Sequence, residues 1–447
     1  MCNAPGRLSR RGTGIKKRTA AAILAFLHSM KNLKGRIAMS SQDIPGATPA
    51  SELKKRTTPT SIAVICAFAA MGTLATNIFL PSLPSMAATF HVSSAAVTSA
   101  ITIYLAIFAV GQLIVGPLSD RYGRRPLILI GLCLFVAGTI WCAQARQLSD
   151  LLIGRSIQAS GGCATLVLSR AIARDLFEGQ MLAKAMAAIT IATAAAPGFS
   201  PLVGGALDHF LGWRTEFIFV AAFAVGAVAA YATFVGETIR STRTSMNPLA
   251  VAVSYLALIR DAEFTVPART AGLLMVGLFA IFSSAPRVLA EGFGFSPIML
   301  GLLFASVVFV VFGAGVLATR LSARLGLYRA TTLGLGVTTI GGIALLGAAL
   351  FAPDAFPPFL AATAIFLFGL GIASPLSSAA ALSPFGNKAG VAAALLGFTQ
   401  MAGGAAGTLL AAAISSDPAQ GLGIVLSLSS PLALILYRLG GRPSALR

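Results

Sequence analysis

The sequence predicts an all-α integral membrane protein in which twelve transmembrane helices form two related halves of six. Three observations predict this class: an apolar composition, long uncharged stretches that recur along the chain, and an internal repeat. Of the 447 residues, 56% are hydrophobic and only 11% are charged, whereas about a quarter of the residues of a soluble domain are charged. Because so apolar a chain would expose large hydrophobic patches in water, we expect lipid to surround most of it.

Twelve stretches of the chain are apolar and long enough to cross a bilayer, which takes roughly 20 residues of helix. We number them spans 1 to 12, and they cover residues 61–80, 94–116, 126–145, 151–171, 185–207, 215–235, 268–286, 298–319, 330–351, 358–380, 389–413 and 420–437. Most connections are short, which makes consecutive spans antiparallel neighbours. The longest connection follows span 6 and divides the spans into six and six.

The spans define the predicted layout of the chain. A basic N-terminal tail, an N-terminal half, a cytoplasmic loop, a C-terminal half and a cytoplasmic tail are expected at residues 1–60, 61–236, 237–267, 268–437 and 438–447. Residues 1–56 hold 12 of the 33 Lys and Arg residues but 2 of the 14 acids. Three interpretations of this tail stay open: disorder with attraction to anionic lipid, a short interfacial helix, or an extension upstream of a start at Met39.

The positions of the basic residues predict how the bundle is oriented. After residue 56, 17 Lys and Arg residues fall on one alternating set of connections and the C-terminus, and three, Arg146, Arg214 and Arg287, fall on the opposite set. Cytoplasmic loops of membrane proteins carry the excess of basic residues. We therefore predict that both termini lie in the cytoplasm. Because the basic residues are scattered between apolar runs, the net charge of +19 does not indicate nucleic-acid binding.

Metal, cofactor and enzyme sites are not indicated by the sequence. The five cysteines form no CxxC pair and the three histidines are far apart, so the spacing of metal ligands is missing. A membrane-embedded enzyme would need catalytic side chains clustered at membrane depth, and a receptor would ordinarily carry a soluble output domain. We therefore predict a protein that is not an enzyme, with no metal and no cofactor.

An internal repeat relates the two sets of spans. Residues 118–123 read LSDRYG and recur as LSARLG at 321–326, each time directly after the second span of a set. In span 5, residues 198–205 resemble residues 397–404 of span 11. The two offsets, 203 and 199 residues, are nearly equal. Tandem halves of this kind are typical of secondary transporters, which bind their substrates where the repeats meet.

The connection between spans 2 and 3 carries the most specific motif. Residues 116–126 read GPLSDRYGRRP, in which Gly and Pro permit a tight reversal and the arginines favour the cytoplasmic face. This segment resembles the GxLaDrxGrkxxl signature of the major facilitator superfamily. We predict that it forms a conformational latch against the start of span 11, near Asn387–Gly390; the latch residues are Asp120, Arg121, Gly123, Arg124 and Arg125.

Two further motifs fit the same superfamily. In span 4, residues 155–162 read RSIQASGG and resemble its RxxQgxG motif, and an arginine within a span is costly unless it has a function or a partner. In span 5, residues 197–205 read PGFSPLVGG and resemble the Pro/Gly-rich motif of drug/proton antiporters. Close helix packing and a direct role in exchange remain equal interpretations of this motif, whose residues are Pro197, Gly198, Pro201, Gly204 and Gly205.

Three short segments resemble the Bcr/CflA drug-resistance branch of the superfamily. They read LPSLP, LSRAIARDLF and GWRTEF, at residues 80–84, 168–177 and 212–217. The resemblance covers residues 60–437 and implies proton-driven efflux of drugs or other small amphipathic molecules across a bacterial inner membrane. One position departs from it, because the branch usually has an Asp just before the LP element and this chain has Asn77. An amide cannot carry a proton, so proton coupling is implied by the resemblance alone.

Polar residues of spans 1, 2 and 4 are the candidates for a substrate cavity: Asn77, Tyr104, Gln112, Arg155 and Gln158. Hydrogen bonding between helices explains Asn77, Tyr104 and Gln112 equally well, whereas Arg155 favours neutral or weakly anionic substrates. We predict alternating access about this cavity by a monomer in lipid, with a small molecule and protons as its partners. A symporter or facilitator for a metabolite is the alternative.

Overall fold

The computed structural model describes residues 59–234, 248–415 and 417–440. Within them, regular structure is entirely helical, and twelve helices are long and apolar enough to cross a membrane, which confirms the predicted class. Spans 1 to 12 extend over Thr60–Phe90, Ser94–Ser119, Arg124–Ala143, Leu148–Leu176, Gly179–Leu211, Arg214–Phe234, Ala262–Gly292, Pro297–Leu325, Leu327–Phe351, Phe356–Phe385, Ala389–Ala413 and Pro418–Gly440. Nearly all of the predicted N-terminal tail, and residues 441–447 of the predicted C-terminal tail, lie outside the described residues.

Several spans are broken rather than continuous helices. Span 1 consists of the helix Pro59–Asn77, a 3-10 turn at Leu80–Ser82 and the helix Leu83–Phe90. Prolines at 81 and 84 explain the break, because a proline ring lacks the N–H that continues a helix.

The predicted loop 237–267 contains a short helix, Pro248–Arg260, which we call the linker helix. The last residues of the predicted loop already belong to span 7.

The contacts among the first six spans recur among the last six. Span 1 packs against spans 4, 5 and 6, and span 7 packs against spans 10, 11 and 12. Span 4 contacts spans 2 and 3 in the same way that span 10 contacts spans 8 and 9, and the pair of spans 3 and 6 corresponds to the pair of spans 9 and 12. The two sets of six helices are therefore copies of one arrangement, as the internal repeat predicts.

The repeated turn has the same backbone conformation in both halves. Gly123 has φ 104° and ψ 153°, and Gly326 has φ 78° and ψ 159°. Each glycine N–H donates to the carbonyl of the serine four residues earlier, at 3.0 Å. Because a positive φ strains any residue with a Cβ atom, glycine is required at both positions. We refer to the end of the bundle with Gly123 as the predicted cytoplasmic end and to the opposite end as the predicted outer end.

The halves meet along two pairs of helices, spans 2 and 11 and spans 5 and 8. Toward the predicted outer end, the hydroxyls of Thr102 and Thr408 lie 2.6 Å apart and join spans 2 and 11. Nearer that end, the Ser94 hydroxyl donates to the Glu291 carboxylate at 2.9 Å. These polar contacts connect the halves in the conformation described.

Candidate transport site

A cavity of about 310 Å³ lies between the halves at the predicted cytoplasmic end. Residues of spans 2 and 4 line it together with Arg124 at the start of span 3, the first residues of span 11 and the linker helix. Among the described lining residues there are three arginines and no acidic side chain; the polar ones are Gln112, Ser119, Arg124, Arg170, Arg174 and Tyr255. The volume is at the low end of the range for small-molecule sites. The positive charge of the lining residues favours neutral or anionic ligands.

The linker helix contributes one side of this cavity. The Tyr255 hydroxyl donates to the Leu113 carbonyl of span 2 at 3.1 Å, which ties the linker helix to the N-terminal half. Burial raises the pKa of this hydroxyl, so it keeps its proton at neutral pH and remains a donor. The segment that connects the halves in sequence therefore also takes part in the site.

The glycine-rich motif of span 5 brings helices together near the predicted outer end. Gly204 faces the Ile78 carbonyl of span 1, and Gly205 faces the Pro297 carbonyl at the start of span 8, each too closely for a Cβ atom. A Cβ on Gly198 would lie 2.6 Å from the Val308 side chain of span 8. The packing interpretation of the motif therefore has direct geometric support.

Span 8 approaches the same motif through a glycine of its own. A Cβ on Gly301 would lie 2.6 Å from the Pro201 carbonyl. The repeat preserves part of this arrangement, since Gly403 of span 11 faces the Gly272 carbonyl of span 7 as Gly204 faces span 1. Small residues that allow backbones to approach are typical of helix interfaces in membranes. Spans 5 and 8 therefore close the predicted outer end.

Arg155 lies at the centre of the N-terminal half with no exposed surface. Its Nη1 atom donates to the Ala75 carbonyl of span 1 at 2.9 Å and to Gln158 Oε1 at 2.6 Å. The guanidinium carbon lies 4.4 Å from the centroid of the Phe79 ring and 4.1 Å from that of Tyr104. Its Nη2 atom has no hydrogen-bond partner. Carbonyls, an amide and two aromatic faces thus surround this cation, and no carboxylate does within the described part of the chain.

The structure brings four of the five predicted cavity residues together inside the N-terminal half. Gln158 donates to the Thr139 hydroxyl at 2.8 Å, and the Tyr104 hydroxyl donates to the Gly72 carbonyl at 3.2 Å. Asn77 is also buried. Its amide nitrogen donates to the backbone carbonyl of Thr73, and its Oδ1 atom has no partner.

Of the five residues predicted for a substrate cavity, Gln112 is the one that lines the cavity in the structure. Its Oε1 atom closely faces Gly397 of span 11, and its Nε2 atom has no partner. Gln112 therefore lies where the halves meet. Four predicted residues are instead buried and do not line the cavity: Asn77, Tyr104, Arg155 and Gln158.

Of the predicted latch residues, Arg124 lines the cavity at the predicted cytoplasmic end. Arg124 donates from Nε to the Asp175 carboxylate at 3.0 Å and also hydrogen-bonds the Ser119 hydroxyl. Arg121 is exposed and lies over the Tyr122 ring, and Arg125 is half-buried. The side chain of Asp120 lies outside the described part of the structure. The start of span 11, to which the latch was predicted to bind, borders the same cavity.

Some residues of the site region escaped prediction from the sequence. Arg170, Arg174 and Tyr255 border the cavity, but basic residues and an aromatic side chain in cytoplasmic connections read as orientation signals. Glu216, in the first turn of span 6, is fully buried although it is an acidic side chain. The sequence carries a signal of this burial, because Glu216 lies at helical spacing from the other residues of one buried face: Val220, Ala224, Ala227 and Tyr231.

Metal binding finds no support in the described residues, where no three His, Cys, Asp or Glu side chains come together.

With twelve spans, two repeated halves and a cavity between them, the molecule has the architecture of a secondary transporter. Residues 62–408 match the Major Facilitator Superfamily. The chain belongs to this superfamily, whose members are transporters rather than enzymes.

Similar proteins also include drug-resistance proteins. Multidrug resistance protein D of Escherichia coli (strain K12) is 27% identical over 397 residues, which cover 86% of this chain and 96% of that protein. A chloramphenicol resistance protein of Pseudomonas aeruginosa is 29% identical over 339 residues, covering 75% and 79%. The resemblance to the Bcr/CflA branch is thereby confirmed. The crystal structure of the human transporter MFSD10 shares the fold at 18% identity, with a TM-score of 0.65 over 85% of this chain and all of the other.

Proposed function

We propose that this chain exports small amphipathic molecules, neutral or anionic, from the bacterial cytoplasm, by alternating access driven by protons. The observation that carries the proposal is the placement of the cavity: it lies between the halves at the predicted cytoplasmic end, while spans 5 and 8 pack closely at the predicted outer end. An exporter needs such a conformation to take up its substrate from the cytoplasm.

The charge around the cavity supports the proposed substrate class. Three arginines border it, and one of them, Arg124, is already paired with Asp175. Arg170 and Arg174 remain to attract an anionic group, and apolar residues such as Leu166 and Val167 provide contact for a hydrophobic body. A dication would meet repulsion without a described acidic group in the lining to offset it.

Relatives support the direction of transport. Proteins named for multidrug and chloramphenicol resistance align over most of this chain, and resistance of that kind is explained by removal of the drug from the cell. We accordingly propose the bacterial inner membrane as the location, with both termini in the cytoplasm and a monomer as the working unit.

A susceptibility panel in an efflux-deficient bacterium tests this function. Expression of the chain should raise resistance to chloramphenicol or to other neutral or anionic amphipathic drugs, and a protonophore should abolish the gain. Resistance that persists with the protonophore would contradict proton coupling. The absence of a phenotype with every compound, for a protein shown to be in the membrane, would favour the metabolite symporter or facilitator instead.

A further inference from the structure

A carboxyl group without a counter-charge is buried near the predicted outer end. Glu216, in the first turn of span 6, has 0% of its surface exposed. The hydroxyl of Ser82, in the 3-10 turn of span 1, donates a hydrogen bond to its Oε1 atom. The other oxygen, Oε2, has no partner. A carboxylate here would be a buried charge with an unsatisfied acceptor, which is costly.

The ionisable groups of span 5 do not supply a positive partner. The Asp208 carboxyl, of like charge, also interacts with the Ser82 hydroxyl and accepts from Ser85 at 2.6 Å. His209 follows it in sequence and packs against the ring of Phe210. Span 5 therefore adds negative charge near Glu216, which makes a second carboxylate still less favourable.

Two arginines of the N-terminal half, Arg155 and Arg214, are engaged elsewhere. Arg214 donates to the Ala145 carbonyl at 2.9 Å, and its guanidinium lies 4.3 Å from the centroid of the Trp213 ring. Arg155 hydrogen-bonds the carbonyls of Ala75 and Ala100 and the side chain of Gln158. Neither guanidinium is hydrogen-bonded to Glu216.

The segment that covers Glu216 is held by the other half of the molecule. The turn Leu80–Ser82 lies against span 5 of its own half and against spans 7 and 8 of the C-terminal half. The following helix, Leu83–Phe90, also contacts span 7. Opening of the outer end would separate spans 7 and 8 from this segment, and water would then reach Ser82 and Glu216.

We propose that Glu216 is a proton-binding site that must be occupied before the outer end can close. In the open form, the carboxylate takes a proton from hydronium: an O–H bond forms on the carboxyl group, and water is released. The neutral acid is then buried without an uncompensated charge as spans 7 and 8 return. This inference rests on the proposed proton-driven function, and it supplies the acid that Asn77 does not provide.

The sign of the pH dependence follows from this scheme. Because closure buries the neutral acid, the closed form is favoured at low outer pH and is lost as the pH rises. Glu216→Gln, a neutral mimic, should be closed at every pH, and Glu216→Asp should respond to pH like the wild type. Asp354, an exposed carboxylate in the connection between spans 9 and 10, offers the matched control Asp354→Asn.

Infrared difference spectroscopy on the purified full-length chain tests proton binding directly. The wild type should show the carbonyl stretch of a protonated carboxylic acid, sensitive to exchange into heavy water. Glu216→Gln should lose this band, and Asp354→Asn should keep it. Ser82→Ala keeps the carboxyl and removes its hydrogen-bond partner, so the band should remain but shift in frequency. A band that survives unchanged in Glu216→Gln, or that is missing in the wild type, would overturn the proposal.

A distance measurement tests the link to closure. Spin labels on the exposed residues Phe210 of span 5 and Met299 of span 8, in a background without native cysteines, report the separation of these spans. In the wild type the distance should lengthen with rising pH, and in Glu216→Gln it should stay short. Equal responses of the two proteins would refute the role in closure. Neither measurement uses a substrate, so failure of the export proposal in the susceptibility panel is distinguishable from failure of this one.

Discussion

Arg155 shows how a single buried charge can be accommodated without a carboxylate. Each cation–π contact contributes about 0.5–2 kcal/mol and each charge-assisted hydrogen bond about 1.5–3 kcal/mol. Burying the cation costs several kcal/mol. The two ring faces, the carbonyls and the Gln158 amide therefore offset the cost of burial in place of a carboxylate. Its uncommitted Nη2 atom points to a functional role.

Replacing Arg155 should therefore separate function from stability. We expect Arg155→Met, which keeps much of the volume, to reach normal abundance and thermal stability but to lose drug resistance. Arg155→Lys should lose most of it too, because an ammonium cannot reproduce the forked hydrogen bonds and the stacking of the guanidinium. Resistance and thermal unfolding are measured together, with Arg146→Met, on an exposed arginine, as the control. Wild-type resistance in Arg155→Met would contradict the functional role.

At the residue scale, the sequence singles out a residue only where the residue type alone carries the information. A charged side chain within an apolar span is conspicuous, so Arg155 could be found from composition. The burial of Glu216 is indicated only by its helical spacing with the apolar residues of span 6, because a carboxylate at a helix end is usually exposed. In the structure, the Ser82 hydroxyl of the 3-10 turn donates a hydrogen bond to this buried carboxyl. The unpaired oxygens of Asn77 and Glu216 are likewise properties of packing.

Among the elements, span 5 has the clearest structural reason for its sequence. Gly204 and Gly205 lie where a backbone carbonyl of span 1 or of span 8 leaves no room for a side chain. The prolines at 197 and 201 occur within the same helix, and membrane helices tolerate such residues because neighbouring groups replace the missing hydrogen bonds. Two glycines of the motif therefore permit the close packing of spans 1, 5 and 8 at the predicted outer end.

Adding one methyl group at this contact should shift the conformational equilibrium. A Cβ on Gly205 would collide with the Pro297 carbonyl, and overpacking of this kind costs about 1–3 kcal/mol. Since about 1.4 kcal/mol is a factor of ten, Gly205→Ala should shift much of the population to the outward-open form. The label pair on Phe210 and Met299 measures this as a longer distance.

The control for this substitution is Gly226→Ala. Gly226 lies in span 6 with no heavy atom within 4 Å of an added Cβ, so the distance between spans 5 and 8 should not change. An unaltered distance in Gly205→Ala as well would show that the close approach of the two backbones does not hold the outer end shut.

Element boundaries were predictable only approximately, because hydropathy marks the part of a helix that lies within the lipid and not the ends of the helix. Spans 4 and 5 begin before and end after their apolar stretches, since helices continue into the interface once the backbone hydrogen bonds are established. Span 1 was predicted to end near residue 80, and it resumes as Leu83–Phe90 after the prolines. The linker helix lay in a segment that reads as a loop because its neighbours are charged and polar.

For the whole molecule, the internal repeat predicted the arrangement of the two halves. Repeated sequence fixes repeated packing, so the contacts of spans 1 to 6 recur in spans 7 to 12. The cavity was not predictable in the same way, because its walls come from spans 2, 4 and 11 and the linker helix, which are distant in sequence. Contacts between the halves decide which interface is closed in a given conformation. A sequence pattern does not report these contacts.

The central claim is that this molecule moves amphipathic drugs out of the cytoplasm in exchange for protons, and everted membrane vesicles test it most directly. With labelled chloramphenicol outside and an acidic vesicle interior, we expect accumulation inside the vesicles, and we expect a protonophore to stop it. Vesicles that contain Arg155→Met should not accumulate the drug. If wild-type vesicles took up neither chloramphenicol nor any other neutral or anionic drug under this gradient, or took it up equally without the gradient, the account would be contradicted.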